Sequence, residues 1–159
     1  MNFTGDAHEF EVQVEWHGNL GEGTTSHRSY RRHHRITADG RMPIEGSSDR
    51  VFHGDADRWN PEQLLVAALS QCHMLSYLHV AASNGITVEA YRDEASGTLA
   101  VNRDGSGHMT SVALRPTVAI SAGDPAAARG LHEEAARLCF IAASVAFPVT
   151  HSATIVVVS

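Results

Sequence analysis

Asn60-Pro61-Glu62-Gln63-Leu64-Leu65-Val66-Ala67-Ala68-Leu69-Ser70-Gln71-Cys72-His73-Met74-Leu75 opens a long apolar helix with a cysteine about three turns in. Asn60 is placed to cap it, Pro61 suits the first helical position and Gln63 can close a capping box. The pattern runs to about Ser83, where Asn84-Gly85 stops it and Gly85 can take the left-handed cap. Leu64, Leu65, Ala67, Ala68, Leu69, Cys72, Leu75, Leu78 and Ala82 cover more than half of the circumference. A helix apolar on most sides belongs in the middle of something. A chain of 159 residues can hardly wrap it alone, so a second subunit is expected over part of it.

Before the helix, Phe10, Val12, Val14 and Trp16 alternate with Glu9, Glu11, Gln13 and Glu15, which predicts a half-buried strand over 9–17. The glycine-rich 18–23 segment lacks a phosphate-loop pattern and reads as a hairpin connection. A second strand is expected over 27–37, antiparallel to the first and crowded with Arg28, Arg31, Arg32 and Arg35. A long connection over 38–59 carries one short strand near 42–45. After the helix, strands are expected from Ile86, over 98–101 and over 112–120, with a turn at 94–97 and an Asp-Gly hairpin loop at 102–107. Pro116 marks an edge or a bulge. Asp124-Pro125 starts a second helix over roughly 125–137; a short helix follows Cys139, and a strand over 154–158 closes the chain. Helices and antiparallel hairpins in separate blocks predict an α+β fold in one domain, 1–159.

Composition narrows the function. Hydrophobic residues reach 43% and the formal charge is −6, which supports a real core and opposes a general nucleic-acid or anionic-membrane binder. All twelve basic side chains are arginine, so Schiff-base and P-loop lysines are excluded and any required cation is a guanidinium. Two cysteines are too few for a disulfide-stapled secreted scaffold. The N-terminus lacks a signal-peptide pattern and no apolar run reads as long enough to span a bilayer, so a cytoplasmic protein without membrane contact is expected.

Cys72 lies too deep in its helix for the N-terminal dipole, so a reactive thiolate there needs an arginine or a protonated histidine. Cys139 follows a helix; two cysteines lining one pocket would form a peroxidatic and resolving pair. Packing as small hydrophobes is the alternative for both. His73 and His79 flank Cys72, but no C-x-x-C, H-x-x-x-H or H-E-x-x-H spacing supports zinc, and no G-x-S-x-G elbow supports a serine hydrolase. Glu62 sits in the first helical turn, about 15 Å of helix rise from Cys72, so the two cannot touch directly.

With Asn60-Pro61-Glu62-Gln63-Leu64-Leu65, the offset to Ser70-Gln71-Cys72, and Cys139 after a charged helix, the chain resembles the OsmC/Ohr family of thiol-dependent peroxidases. The strand ending at Trp16, the Gly-Glu-Gly turn and Phe52-His53-Gly54-Asp55 are similar to an OsmC-like subgroup rather than the Ohr branch. The resemblance implies an intertwined homodimer with antiparallel sheets around central cysteine-bearing helices. It implies reduction of organic hydroperoxides, and less efficiently hydrogen peroxide, with no metal or organic cofactor. Cys72 would be peroxidatic, Cys139 resolving, and Glu62 the carboxylate orienting an arginine. Arg28 is the first choice for that arginine, with Arg31 and Arg35 as alternatives. A dithiol, such as a lipoylated protein, would be the reductant. The competing function is a non-catalytic small-ligand-binding or stress-response protein on the same fold. Cys139-Phe140-Ile141 replaces the Cys-Pro of many members, which implies a different pocket wall.

Overall fold

The computed structural model describes Gly5 and residues 7–159. They fall into two compact units, Met1–Pro61 and Glu62–Ser159, and the chain is α+β as expected.

In the first unit β1 (Gln13–Trp16), β2 (His34–Thr37) and β3 (Ile44–Gly46) form an antiparallel sheet in that order. Val14 pairs with Ile36 and Ile36 with Ile44, which lays a row of branched apolar side chains across one face. Both long strands are shorter than the sequence predicts. Past Trp16 the pairing dissolves into single contacts: His17 N–H donates to His33 O at 2.9 Å and Arg31 N–H to Gly18 O at 2.8 Å. A Cβ on Gly18 would lie 1.7 Å from Arg31 O, so this approach requires glycine. Side chains then take over the hydrogen bonding of the loop: Asn19 Oδ1 accepts from Gly21 and Gly23 N–H, and the Ser29 hydroxyl donates to Gly23 O. The alternation of β1 is as read, but its burial is not. Within this chain Phe10 is 91% and Val14 62% exposed.

The second unit begins with α1 (Pro61–Ser83), which has the expected bounds, and Gly85 follows at φ +71. Next come β4 (Thr87–Asp93), β5 (Ser96–Val101), β6 (Gly107–Leu114), β7 (Pro116–Ala122), α2 (Pro125–Leu138), β8 (Val149–His151) and β9 (Thr154–Val157). They make two sheets, β4-β7-β9 and β5-β6-β8. The hairpin pairings are antiparallel, but β8 and β9 join parallel to β6 and β7, an arrangement that the sequence reading did not contain. Three long strands are in effect each broken once, near Glu94-Ala95, at Arg115 and at Ser152-Ala153. Asp93 ties the break: its carboxylate accepts from Arg115 N–H at 2.6 Å and from the Ser70 hydroxyl at 2.5 Å. Pro116, without an N–H to give, stands buried at the break.

Leu69, Val112 and Leu114 centre one apolar cluster; Tyr77, Val80, Ile86, Val118 and Ile120 centre another, joined by Ala128 and Ala135 of α2. Asp124 caps α2 by accepting from Ala127 N–H at 2.7 Å, with Pro125 at the first position. One expectation is overturned. α1, with 23 residues and a mean hydropathy of 1.4 over its most apolar window, is long and apolar enough to cross a bilayer by length and composition. Its Leu, Val and Ala residues outweigh the interspersed Ser70, Gln71 and His73, and a core helix passes the same measure. Within the chain, 28% of that window is buried.

Candidate active site

α1 carries Cys72 and the end of α2 carries Cys139, and the fold brings the two together. Both are free thiols, and they lie near enough for Cys72 to act on the Cys139 thiol. Their surroundings differ. Cys139 is 1% exposed, whereas Cys72 is half-buried and reachable. Cys139 is the C-cap of α2; its N–H donates to Ala136 O and its sulfur accepts from Ala142 N–H at 3.4 Å. Burial pushes its thiol up to about 11; the Ala142 N–H pulls against this and the contact with Cys72 adds to it. At neutral pH Cys139 is therefore protonated. Two neighbouring thiols can lose two hydrogens to form one disulfide.

Glu62 is half-buried in the first turn of α1, ten residues before Cys72, which sits midway along the helix. The three candidate arginines belong to the first unit, and their partners separate them. Arg35 is held by Glu45 at 2.5 Å, which also takes Arg58 at 2.8 Å. Arg31 lies 3.9 Å from Asp55, and His33 pairs with the same carboxylate. Arg32 stacks over the Tyr30 ring and donates to His27 O and Tyr30 O. Among the described residues the Arg28 guanidinium has no such partner. It borders a groove of about 300 Å³ with His27, Tyr30, Arg31 and His53.

A second feature was not foreseen. His73 of α1, His132 of α2 and His151 of β8 gather in the second unit, where His73 Nε2 and His132 Nδ1 are 2.9 Å apart. Tyr77 stacks on His132 with ring centroids 4.0 Å apart, and its hydroxyl donates to Ala128 O at 3.1 Å. Burial lowers His73 to about 4 and His132 to about 3, so both are neutral. The signal was present in the spacing of Ala128, His132 and Ala135, which puts His132 on the buried stripe of α2. Among the described residues no three His, Cys, Asp or Glu side chains are arranged to hold a metal ion. His79, which flanks Cys72 in sequence, is exposed.

The OsmC-like protein family matches residues 54–153, a span that holds both cysteines. An OsmC-like protein of unknown function from Vibrio cholerae has a similar structure, with 33% identity, a TM-score of 0.83, and 92% of this chain and 99% of that one covered. An organic hydroperoxide resistance protein from Legionella pneumophila superposes with a TM-score of 0.67 at 19% identity, covering 95% and 98% of the two chains. One from Bacillus subtilis does so with a TM-score of 0.60 at 22% identity, covering 92% and 98%. At such identities these two share the fold. No curated protein sequence matches the chain. The family match over most of the second unit, together with the Vibrio cholerae relative over nearly the whole length, places this chain in the OsmC-like family.

Proposed function

We propose that the chain is a cysteine-based peroxidase that reduces organic hydroperoxides to alcohols, and hydrogen peroxide less efficiently. The observation that carries this reading is the pairing of a reachable Cys72 with a buried, protonated Cys139 near enough to feel it. The Cys72 thiolate attacks the distal peroxide oxygen; an S–O bond forms, the O–O bond breaks and the alkoxide leaves as alcohol after taking a proton. The Cys139 sulfur then attacks the sulfenic sulfur of Cys72. The S–S bond forms, the S–O bond breaks, and hydroxide leaves as water with the Cys139 proton. A dithiol, such as a lipoylated protein, returns the disulfide to two thiols by exchange.

The activating cation is assigned to Arg28, because its guanidinium is not committed to an acid as those of Arg31 and Arg35 are. Glu62 is assigned as the carboxylate that orients it. Neither metal nor organic cofactor takes part in these steps. The working form is read as a homodimer in the cytoplasm. Support for the dimer comes from α1, mostly unburied within its own chain, and from the open apolar face of the first unit. All 159 residues act as one functional domain in this reading.

Turnover of cumene hydroperoxide with a dithiol tests the assignment. Cys72→Ser abolishes it; Cys139→Ser permits one oxidation that dithiol does not recycle efficiently. Undiminished turnover by Cys72→Ser refutes the mechanism. A merely packed Cys72 would also resist alkylation until the chain unfolds, whereas the proposed nucleophile is alkylated in the folded protein.

A further inference from the structure

The contacts between α1 and α2 form a ladder of directional pairs. Along α1 the order is Cys72, His73, Tyr77; the residues they meet are Cys139, His132 and Ala128. Numbers rise on one helix as they fall on the other, so the two run antiparallel across this contact. From His73 to Tyr77 and from His132 to Ala128 is four residues each, about 6 Å of rise, so these two rungs share one register. Cys139 itself is held by neighbours of its own segment, Ala136 O and Ala142 N–H. Its place against Cys72 therefore follows from where α2 sits. Apolar side chains between two helices tolerate small slides, whereas a hydrogen bond weakens steeply with them. A slip of one turn, about 5.4 Å, would separate the thiols.

The polarity of this contact is costly. His132 Nε2 is buried without a partner among the described residues, and His73 is buried with it. Leucine or phenylalanine would fill such a site with less desolvation. Three further groups surround the pair. His151 lies against both rings, Asp93 acts on His73 electrostatically, and Glu133 reaches His151 at 3.5 Å from the solvent side. The rings stack and their nitrogens do not converge on one point, which removes metal binding as the reason for three imidazoles.

We propose that the His73–His132 hydrogen bond fixes the register of α2 on α1 and so positions Cys139 for closing the disulfide onto Cys72. His132 is thus a positioning residue, acting through the place of the second sulfur and not on the peroxide. The inference rests on the reading of Cys139 as the resolving cysteine.

Diamide separates this inference from that reading, because it takes two electrons and two protons from any adjacent dithiol without a peroxide step. His132→Phe keeps the ring on Tyr77 and deletes both nitrogens; His132→Gln can still hydrogen-bond to His73. Expected with diamide at neutral pH is closing at or below about a tenth of the wild-type rate for H132F, and recovery to within about threefold for H132Q. With hydroperoxide, H132F forms sulfenic Cys72 at the wild-type rate but accumulates it, seen by dimedone trapping. Closing by H132F as fast as wild type overturns the proposal, as does equal slowing of H132F and H132Q, which would report only lost packing. If H132F does not fold, His73→Phe carries the test: it removes the same hydrogen bond from the α1 side and should slow closing to a similar extent, and an unchanged rate overturns the proposal equally. Wild-type protein that closes with diamide but ignores hydroperoxide would refute the peroxidase reading alone, since the diamide rates still rank the variants.

Discussion

The two units treat their apolar and titratable side chains in opposite ways. The second buries Leu69, Val112, Leu114, Val118 and Ile120, and tucks neutral His73 and His132 among them. The first leaves Phe10, Val12 and Val14 open and sets its imidazole and guanidinium groups against carboxylates, as in His33–Asp55 and Arg35–Glu45. The contrast shows where each unit draws its stability. The second has a core of its own, whereas the first leaves apolar side chains open within this chain. It also places acid sensitivity in the second unit, because a histidine kept neutral by burial opposes protonation.

The largest expected effect comes from acid. His73 and His132 titrate at about 4 and about 3 in the folded protein, against the ordinary 6.5. Below about pH 6.5 the unfolded chain binds protons that the folded one refuses, so stability falls as pH falls towards 4 and levels off below about 3. Two such groups give a slope of up to about 2.7 kcal/mol per pH unit. Urea unfolding at stepped pH measures it, and H132F should remove about half the slope. A flat profile would break the contrast between the units. Next, Leu69→Ala, at a fully buried position, should cost about 3 kcal/mol in the same assay. Val14→Asp should barely change the stability of an isolated chain. In the proposed dimer it buries a charge and should raise the dissociation constant by about two orders of magnitude, about 2.7 kcal/mol, read by sedimentation. An unchanged dissociation constant would mean that this open face is not the dimer surface. Smallest is Asp124→Ala, which deletes the cap on α2 and should cost about 1 kcal/mol.

Local signals made much of this legible. The Asn60-Pro61 start, the Asn84-Gly85 stop and the Asp124-Pro125 start act within a few residues of themselves, and the helices have the expected bounds. The two cysteines could be nominated, and their offsets gave the family resemblance, but contact between residues so far apart in sequence is set by packing. Strand lengths escaped because a ladder needs a partner: the alternation in 9–17 continues where no strand lies opposite among the described residues, so β1 is only Gln13–Trp16. β8 escaped because its three residues pair parallel to β6. The histidine ladder was hidden for a related reason. His73, His132 and His151 sit on three different elements, and each alone looks like a scattered imidazole. Of the candidate arginines, Arg28 stands apart once the acids have taken Arg31 and Arg35, which no spacing rule reveals.

The central claim is that Cys72 and Cys139 form one redox unit that hydroperoxide oxidises. Fully reduced protein treated with one equivalent of cumene hydroperoxide, then blocked and mapped by peptide mass, tests it most directly. The account predicts loss of two hydrogens, a peptide pair joined through Cys72 and Cys139, and one equivalent of cumyl alcohol. Two alkylatable thiols and unconsumed hydroperoxide would contradict it.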